Sequence, residues 1–489
     1  MRIITFPAKV TRFMLLLLLM ADLSYSFYQH YHMSLGGDMS EIIVPTTEAG
    51  YYDVLHDPLG LGVLLRNEEY STPNRFFAHW TASAYFKNVP LFLQNFVEPI
   101  DSVYLSVAIA KILIQFMIIY LLSVYISSRL NILSLEFLIA AAIIFPLFQT
   151  SGYNRYMGII DQSVMYAIFY AFSLGLLMLF YLPFFRNIYN NGKPRIRIAG
   201  FILLTLLTVV LPLNGPLIPG LVLIICPMVL LISILKNYSL SDMDPGLRRA
   251  IHAVMKIPGY ILVYFIMISF FCLYSLYIGQ NDTMSMDQFI PVAERYARLP
   301  VGIYYVLTSK LGFPLLFLSI IFNVIIIRKH YKSEAASKLL ILMKWIGIFA
   351  ILYLLLLPLG GFRVYRENIV RYDTFMPVTL GIMFAFGAST FYLIKNMAGK
   401  SRISYVSGVV MLLLIYTNSD RLETKQYECE RNALETLAQS SDKIVLLNND
   451  CPVMEWILMT DYRRRELDAE LLYLWNITDE KKLFYQKVE

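Results

Sequence analysis

The stretch VYLSVAIAKILIQFMIIYLLSVYI, residues 103–126, decides the fold because one charged residue, Lys111, interrupts an otherwise uncharged run. A helix needs about 20 apolar residues to cross a hydrocarbon core of ~30 Å, so a run of this length predicts a membrane-spanning helix. Similar runs recur along the whole chain, which predicts an all-α polytopic membrane protein with about 11 transmembrane helices. The predicted spans are residues 13–28, 102–127, 132–150, 162–184, 198–214, 216–235, 257–278, 310–327, 339–359, 372–394 and 403–417.

The composition of the whole chain agrees with residence in a lipid bilayer. Of the 489 residues, 57% are hydrophobic and 16% are charged, and the mean hydropathy is +0.58. Soluble chains carry about 25% charged residues, so this chain cannot cover its apolar surface in water. The net charge of +6 comes from basic residues in short loops between spans. That placement indicates membrane orientation and gives no support to nucleic-acid binding.

The basic residues also predict the sides of the membrane, because Lys and Arg near span ends resist translocation. Every second loop is basic, which predicts a cytoplasmic N-terminus and a C-terminus outside, in the inner or plasma membrane if the chain is bacterial. Span 1 is either an uncleaved anchor or a cleaved signal peptide, since its apolar core is short and small residues follow it. The basic segments carry Arg2, Lys9 and Arg12; Arg186, Lys193, Arg195 and Arg197; Lys236, Arg248, Arg249 and Lys256; Arg328, Lys329, Lys332 and Lys338; and Lys395, Lys400 and Arg402.

Two segments outside the bilayer hold most of the remaining residues. The first outer loop, residues 29–101, contains aromatic and apolar stretches that predict helices lying in the membrane interface. The C-terminal residues 418–489 alternate helical and strand patterns, which predicts a small α/β appendage. We therefore divide the chain into a transmembrane domain, 1–417, and a small non-cytoplasmic domain, 418–489. The latter contains Cys429 and Cys451, whose pairing the sequence leaves open.

Two acidic residues follow the first span directly, in HYHMSLGGDMSEIIVP, residues 30–45. The two glycines before Asp38 allow a tight turn. A carboxylate in a cleft shielded from water has a raised pKa and can act as a general base. The motif therefore predicts Asp38 and Glu41 as catalytic residues. The alternative is that they are solvated acidic residues without a role.

Basic residues are concentrated in one predicted outer loop, GGFRVYRENIVRYDTFMPV, residues 360–378, against the charge rule. A guanidinium group binds phosphate oxygens bidentately, so this loop predicts a phosphate-binding site. The alternative is that its basic residues pair with acidic residues of the same loop or with lipid headgroups. The predicted substrate-binding residues here are Arg363, Arg366, Arg371 and Tyr372.

A second predicted outer loop, GYNRYMGIIDQS at residues 152–163, adds two candidates. Arg155 and Asp161 are predicted to contact the substrate, with Asp161 as a second acid or a metal ligand. Pairing of Asp161 with Arg155 is the structural alternative. Lys111 lies inside a span, where a charge is expensive and often functional, but it could equally bridge helices or contact a lipid phosphate.

The sequence contains no motif that indicates zinc binding, ATP-driven transport, serine hydrolysis or thiol redox chemistry. His30, His32 and His56 do not have zinc-binding spacing and are predicted to be interfacial side chains. Walker, GxSxG, HExxH and CxxC motifs are absent from the sequence, so ATP-driven transport, serine hydrolysis and thiol redox chemistry gain nothing from it. No cofactor is required by the pattern, and a divalent metal is neither required nor excluded.

The layout resembles the GT-C superfamily of membrane glycosyltransferases, which take sugars from polyprenyl-phosphate donors. Four features carry the resemblance: an N-terminal span followed at once by the acids Asp38 and Glu41, a long first outer loop, a late outer loop with arginines (RVYRENIVRY), and a small outer C-terminal domain. Family members often have adjacent or singly spaced acids, whereas two residues separate these. That spacing leaves open which acid is the base and whether a metal takes part.

The resemblance implies an inverting sugar transfer at the non-cytoplasmic face. Asp38 would take a proton from an acceptor hydroxyl or amine, and the arginines would stabilise the departing polyprenyl phosphate. Partners would be the lipid bilayer, the lipid-linked sugar and an unidentified glycan, lipid or protein acceptor. The alternatives are a transporter or flippase for lipid-linked saccharides, although no internal repeat is visible, and a non-catalytic envelope scaffold.

Overall fold

The computed structural model describes residues 7–487 apart from 149–157, 191–196, 242–243, 287–289, 361–365, 367, 420–421 and 423. Helices dominate the described part of the chain. Eight of the described helices are long and apolar enough to span a membrane, and two shorter apolar helices, Leu135–Leu147 and Ile198–Leu213, accompany them. The chain is therefore a helical multi-pass membrane protein. Ten of the 11 predicted spans coincide with these helices, and the last lies in the helix Gly399–Ser419.

The helices follow one another along the chain in this order: α1 (Ala8–Tyr31), α2 (Met39–Ile43), α3 (Tyr52–His56), α4 (Leu61–Arg66), α5 (Phe76–Leu93), α6 (Pro99–Ser127), α7 (Leu135–Ile144), α8 (Val164–Tyr166), α9 (Ser173–Asn190), α10 (Ile198–Val210), α11 (Ile218–Ser239), α12 (Leu247–Met255), α13 (Gly259–Ile278), α14 (Thr283–Met286), α15 (Val292–Thr308), α16 (Gly312–His330), α17 (Glu334–Leu356), α18 (Tyr372–Asn396), α19 (Gly399–Ser419), α20 (Lys425–Gln439) and α21 (Glu466–Leu474). A π-helical segment, Ala167–Phe172, joins α8 to α9 in one continuous helix.

Local sequence sets where several of these helices begin. Pro99 stands at the first turn of α6, where its missing N–H removes no helical hydrogen bond. The Ser134 hydroxyl accepts a hydrogen bond from the Phe137 amide and caps α7. Ser333 caps α17 in the same way through the amide of Ala336. These signals lie in the loops, because the apolar interiors of the spans have little position-specific pattern.

The C-terminal segment, residues 424–487, contains α20, α21 and a two-stranded parallel sheet. Strand β1 (Ile444–Leu447) pairs with β2 (Leu483–Gln486) in the register Ile444 to Leu483. Trp475 anchors this segment on the bundle: its side chain is fully buried, and its indole Nε1 donates to the carbonyl of Phe86 at 2.9 Å. Cys429 and Cys451 form a disulfide, which decides the pairing that the sequence left open.

One prediction about the first outer loop was wrong. His30 lies in the last turn of α1, is fully buried and contacts Gln115 in α6 at 3.0 Å, so it is not an interfacial side chain. The cause is the length of α1, which continues to Tyr31 instead of ending at the predicted residue 28. The loop therefore starts later, and the polar face of the last turn packs inside the bundle.

The crossing of α18 with α6 and α7 depends on a glycine. A Cβ atom on Gly387 would lie 2.5 Å from Cδ1 of Ile126 and 2.7 Å from Cδ1 of Ile144. Gly347 in α17 is a suitable control position for Gly387, because a Cβ there would meet nothing within 4 Å.

We expect Gly387→Leu to lower the free energy of unfolding by about 1–3 kcal/mol, because the new side chain forces the three helices apart. Gly347→Leu should leave stability unchanged or raise it. Thermal unfolding of the two purified variants in detergent compares them. Equal unfolding temperatures would show that the three helices do not meet at Gly387.

Candidate functional site

The acidic turn, residues 36–41, connects α1 to α2 and has an unusual backbone. Gly36 and Asp38 both adopt left-handed conformations, with φ of +77° and +69°. Aspartate tolerates this region better than most residues, but it is still uncommon outside glycine. Asp38 stands at the N-cap position of α2, and Glu41 lies in the first turn of that helix. Both carboxylates are therefore held at one end of the helix bundle.

A second segment, residues 158–163, packs against the acidic turn. A Cβ on Gly36 would lie 3.4 Å from Cβ of Ser163. Asp161 accepts a hydrogen bond from the Ser163 amide at 2.7 Å and another from the Tyr372 hydroxyl. Burial raises the pKa of Asp161, whereas these hydrogen bonds and the charge of Lys111 oppose the rise. The fully buried ammonium of Lys111 donates to the Gln162 carbonyl, so Lys111 bridges helix α6 to this segment.

The late arginine loop contributes Arg366 and Arg371 to the same region. Arg371 forms an ion pair with Asp373, whose side chain is fully buried. The Arg371 amide also donates to the Thr374 hydroxyl at 2.9 Å at the start of α18. The pairing predicted as the alternative to phosphate binding is therefore present at Arg371. Arg363 lies outside the described residues, as does Arg155 of the 152–163 loop.

Tyr166 lies near both the acidic turn and the arginines. The charges of Asp38, Arg366 and Arg371 are all close enough to act on its hydroxyl group. Tyr166 stacks on Tyr170 with ring centroids 5.6 Å apart, at the beginning of the π-helical segment. A π-helical turn shifts the register of the residues that follow it, and such turns are frequent at functional sites. More than three hundred residues of chain separate the groups that Tyr166 brings together.

Carboxylates of the C-terminal segment also face the acidic turn. Glu41 remains in contact with solvent, yet protein atoms crowd its carboxyl group, and desolvation is the main cause that raises its pKa to about 7. Repulsion from Asp38, Glu455 and Asp468 adds to this rise. Buried Arg465 balances part of the negative charge, since its Nη1 lies 2.6 Å from Asp468 Oδ2. The site thus holds a carboxyl group that can exchange a proton near neutral pH.

Trp456, which no sequence pattern indicated, packs against one side of the acidic turn. Its indole ring leaves room for no side chain at Gly37, where a Cβ would lie 2.4 Å from the indole Nε1. The ring also contacts Tyr166 edge to face at 5.7 Å, and about half of it (49%) is exposed. A single tryptophan in an irregular stretch has no periodic signal, so only the tertiary contact reveals it. Glu455, in the same irregular stretch, was missed for the same reason, and Asp468 of α21 was missed because its burial depends on packing between distant segments.

The site contains candidates for a base and for phosphate contacts. Among the residues that the structure describes, no three His, Cys, Asp or Glu side chains lie close enough to hold a metal ion.

The solved structures that are similar to this chain include two of an archaeal oligosaccharyltransferase. The oligosaccharyltransferase of Archaeoglobus fulgidus in the apo form has 11% sequence identity and a TM-score of 0.36, over 86% of this chain and 58% of that chain. The archaeal oligosaccharyltransferase AglB from Archaeoglobus fulgidus, in complex with an inhibitory peptide and a dolichol-phosphate, has 12% identity and a TM-score of 0.34, over 87% and 58%. This chain spans less than two thirds of the length of either of these proteins. No family model and no curated protein sequence matches this chain.

The contact between Gly37 and Trp456 can be tested by a double-mutant cycle. We expect Gly37→Ala to destabilise the protein by about 1–3 kcal/mol, because the rigid indole ring must move. In a Trp456→Ala background the same change should cost little, which gives a coupling free energy of about 0.5–3 kcal/mol. Thermal unfolding of the four proteins measures it, with Gly220→Ala as control, because a Cβ at Gly220 meets nothing within 4 Å. Equal losses in both backgrounds would contradict the contact.

Proposed function

We propose that this protein is a membrane glycosyltransferase that moves a sugar from a polyprenyl-phosphate donor to an acceptor at the non-cytoplasmic face, with inversion at the anomeric carbon. The observation that supports the proposal is that the charges of Asp38, Arg366 and Arg371 all act on the hydroxyl of one residue, Tyr166. A sugar transfer of this kind needs a base on one side of the anomeric carbon and positive charge at the leaving phosphate. Carboxylates and guanidinium groups near Tyr166 are our candidates for these two roles.

In the proposed reaction an acidic residue takes the proton of the acceptor. As the acceptor oxygen or nitrogen bonds to the anomeric carbon, its proton passes to Asp38 or Glu41. The bond from that carbon to the phosphate oxygen breaks, and the polyprenyl phosphate leaves with the electron pair. No covalent enzyme intermediate is required. The raised pKa of Glu41 makes it a competent proton acceptor near neutral pH.

The arginines are proposed to receive the phosphate. A guanidinium group offers two parallel N–H donors to two phosphate oxygens and keeps its charge at any physiological pH. The ion pair of Arg371 with buried Asp373 fixes the direction of that side chain at the start of α18. A preoriented cation stabilises the charge that develops on the leaving oxygen without reorganising during the reaction.

An apolar cavity of about 720 Å³ supports a lipid-linked donor. It lies between α6, α9, α11, α17 and α18, and residues such as Leu177, Ile225 and Phe384 line it. Pro377 of α18 is one of its lining residues and lies five residues after Tyr372, which corresponds to about 7.5 Å along the helix axis. We propose that an isoprenoid chain attached to a phosphate at the arginines extends along α18 toward this apolar surface.

Purified protein incubated with a radiolabelled polyprenyl-phosphate sugar and a membrane extract as acceptor source tests the proposal. Label should leave the polyprenyl phosphate and appear in an acceptor. The same cavity also suits a transporter of lipid-linked saccharides, the second candidate. Movement of labelled lipid across proteoliposomes, with its sugar bond intact and no transfer, would support the transporter and end the glycosyltransferase proposal.

Replacing the acid by its amide tests Asp38 without disturbing the backbone. We expect Asp38→Asn to lower the transfer rate by about 10²–10⁴-fold, because the amide cannot accept the proton. Asparagine also tolerates the left-handed conformation of this position, so folding should be preserved. Glu48→Gln in the same loop, where the side chain is exposed, is the matched control and should retain full rate. Wild-type rates in both Asp38→Asn and Glu41→Gln would exclude the acidic turn from the chemistry.

The pH dependence of the transfer rate separates the two acids. A base works only when deprotonated, so if Glu41 is the base the rate should fall as the pH decreases through about 7, where Glu41 takes up a proton. Glu41→Gln should then lose most of the activity. If Asp38 is the base, Glu41→Gln should keep most of the activity. A wild-type rate independent of pH from 5 to 8 would contradict Glu41 as the base.

Arginine-to-lysine changes test the phosphate site. We expect Arg366→Lys and Arg371→Lys each to lower the transfer rate by about 10²–10³-fold, since lysine lacks the planar pair of donors. Arg371→Lys should also reduce thermal stability, because Arg371 pairs with buried Asp373. Arg298→Lys, in an exposed pair with Glu294, is the control. If Arg366→Lys and Arg371→Lys both transfer sugar at the wild-type rate, the loop only attracts lipid headgroups.

A further inference from the structure

Glu430 in helix α20 connects three parts of the chain that are far apart in sequence. Its side chain has no solvent exposure. One carboxylate oxygen, Oε2, accepts the amide hydrogen of Leu35 at 2.8 Å and the hydroxyl hydrogen of Tyr104 at 3.1 Å. The other oxygen, Oε1, accepts the amide hydrogen of Met454 at 2.8 Å. Each oxygen of this buried group is thus used by the protein itself.

The hydrogen-bond partners of Glu430 lie close in sequence to two parts of the candidate site. Leu35 stands three residues before Asp38, and Met454 stands two residues before Trp456. Oε2 of Glu430 therefore binds the backbone just before the acidic turn, through the amide of Leu35. Oε1 binds the backbone just before Trp456, the residue that packs against Gly37, through the amide of Met454.

A buried carboxylate is expensive unless hydrogen bonds compensate for its lost hydration. Burial raises the pKa of Glu430 to about 7, and its hydrogen bonds with Met454, Leu35 and Tyr104 oppose that rise. The disulfide from the neighbouring Cys429 to Cys451 ties α20 to the same stretch by a covalent bond. Two independent links, one covalent and one by hydrogen bonds, thus fix the stretch before Trp456.

We propose that Glu430 is a positioning residue, which aligns the acidic turn with the Trp456 stretch and makes the C-terminal segment part of the catalytic centre. This inference rests on the proposed function for its effect on catalysis. The alignment itself does not depend on that function, because it concerns two backbone amides. An appendage that merely covers the bundle would have no need of a buried carboxylate between Leu35 and Met454.

Hydrogen exchange measured by mass spectrometry tests the alignment without any substrate. In Glu430→Gln one oxygen becomes an amide NH₂, which cannot accept a hydrogen bond from Leu35 or Met454. We expect exchange to rise roughly tenfold in peptides that contain residues 33–43 or 452–458, since one charge-assisted bond is lost. Peptides from α9 and α18 should not change. Glu428→Gln, on the exposed side of the same helix, is the matched control.

Steady-state kinetics with the labelled donor tests the consequence for catalysis. We expect kcat of Glu430→Gln to fall by about 10²-fold with little change in KM for the donor, because the acid is misplaced while the arginine loop is untouched. Tyr104→Phe removes only one hydroxyl contact and should give a smaller fall in kcat. It also serves as the test variant if Glu430→Gln does not fold.

The outcomes separate this inference from the proposed function. Unchanged exchange in both peptides would overturn the alignment. Raised exchange with wild-type kcat would overturn the positioning role, leaving Glu430 as a structural residue. If the wild-type protein transfers no sugar, the proposed function fails, and the exchange experiment still decides whether Glu430 holds the two segments together.

Discussion

A hydrocarbon bilayer offers the backbone no hydrogen bonds, and this constraint shapes the rest of the molecule. Each crossing segment must satisfy its own amides and carbonyls as a helix, so loops and strands are confined to the ends of the bundle. The acidic turn, the 158–163 segment, the arginine loop and the C-terminal segment are all such connections, and they meet at one end. The site therefore arises where the helices leave room for irregular backbone.

Charge is the second organising property of this end. Carboxylates from both ends of the chain lie near one another here. Desolvation is the main cause that raises the pKa of Glu41, and repulsion from the other carboxylates adds to the rise. Buried cations balance part of this charge: Lys111 acts on Asp161, and Arg465 pairs with Asp468. Burying such charges costs folding free energy even where they are partly paired. The proposed transfer gives the cluster a use, because a carboxylate would take the proton of the acceptor while the arginines stabilise the charge that develops on the leaving phosphate.

The C-terminal segment is better understood as a wall of this site than as an appendage. Trp475 binds the segment to α5, and Glu430 binds it to the backbone just before the acidic turn. Trp456 is the side chain of the segment that packs against Gly37 in that turn. These contacts pass between residues separated by about four hundred positions in the chain. The two-stranded sheet and the disulfide hold the segment rigid enough for such contacts to persist.

The sequence by itself determined that the chain consists of membrane-spanning helices. Long apolar runs such as residues 103–126 admit only one solution in a bilayer, and Asp38, Glu41 and the late arginines were visible as charges beside membrane ends. Only the tertiary structure decided that Arg371 pairs with Asp373 and that His30 is buried. It also revealed Trp456 and Glu430. The physical reason is that hydropathy is a property of each segment alone, whereas a contact depends on where a second, distant segment packs.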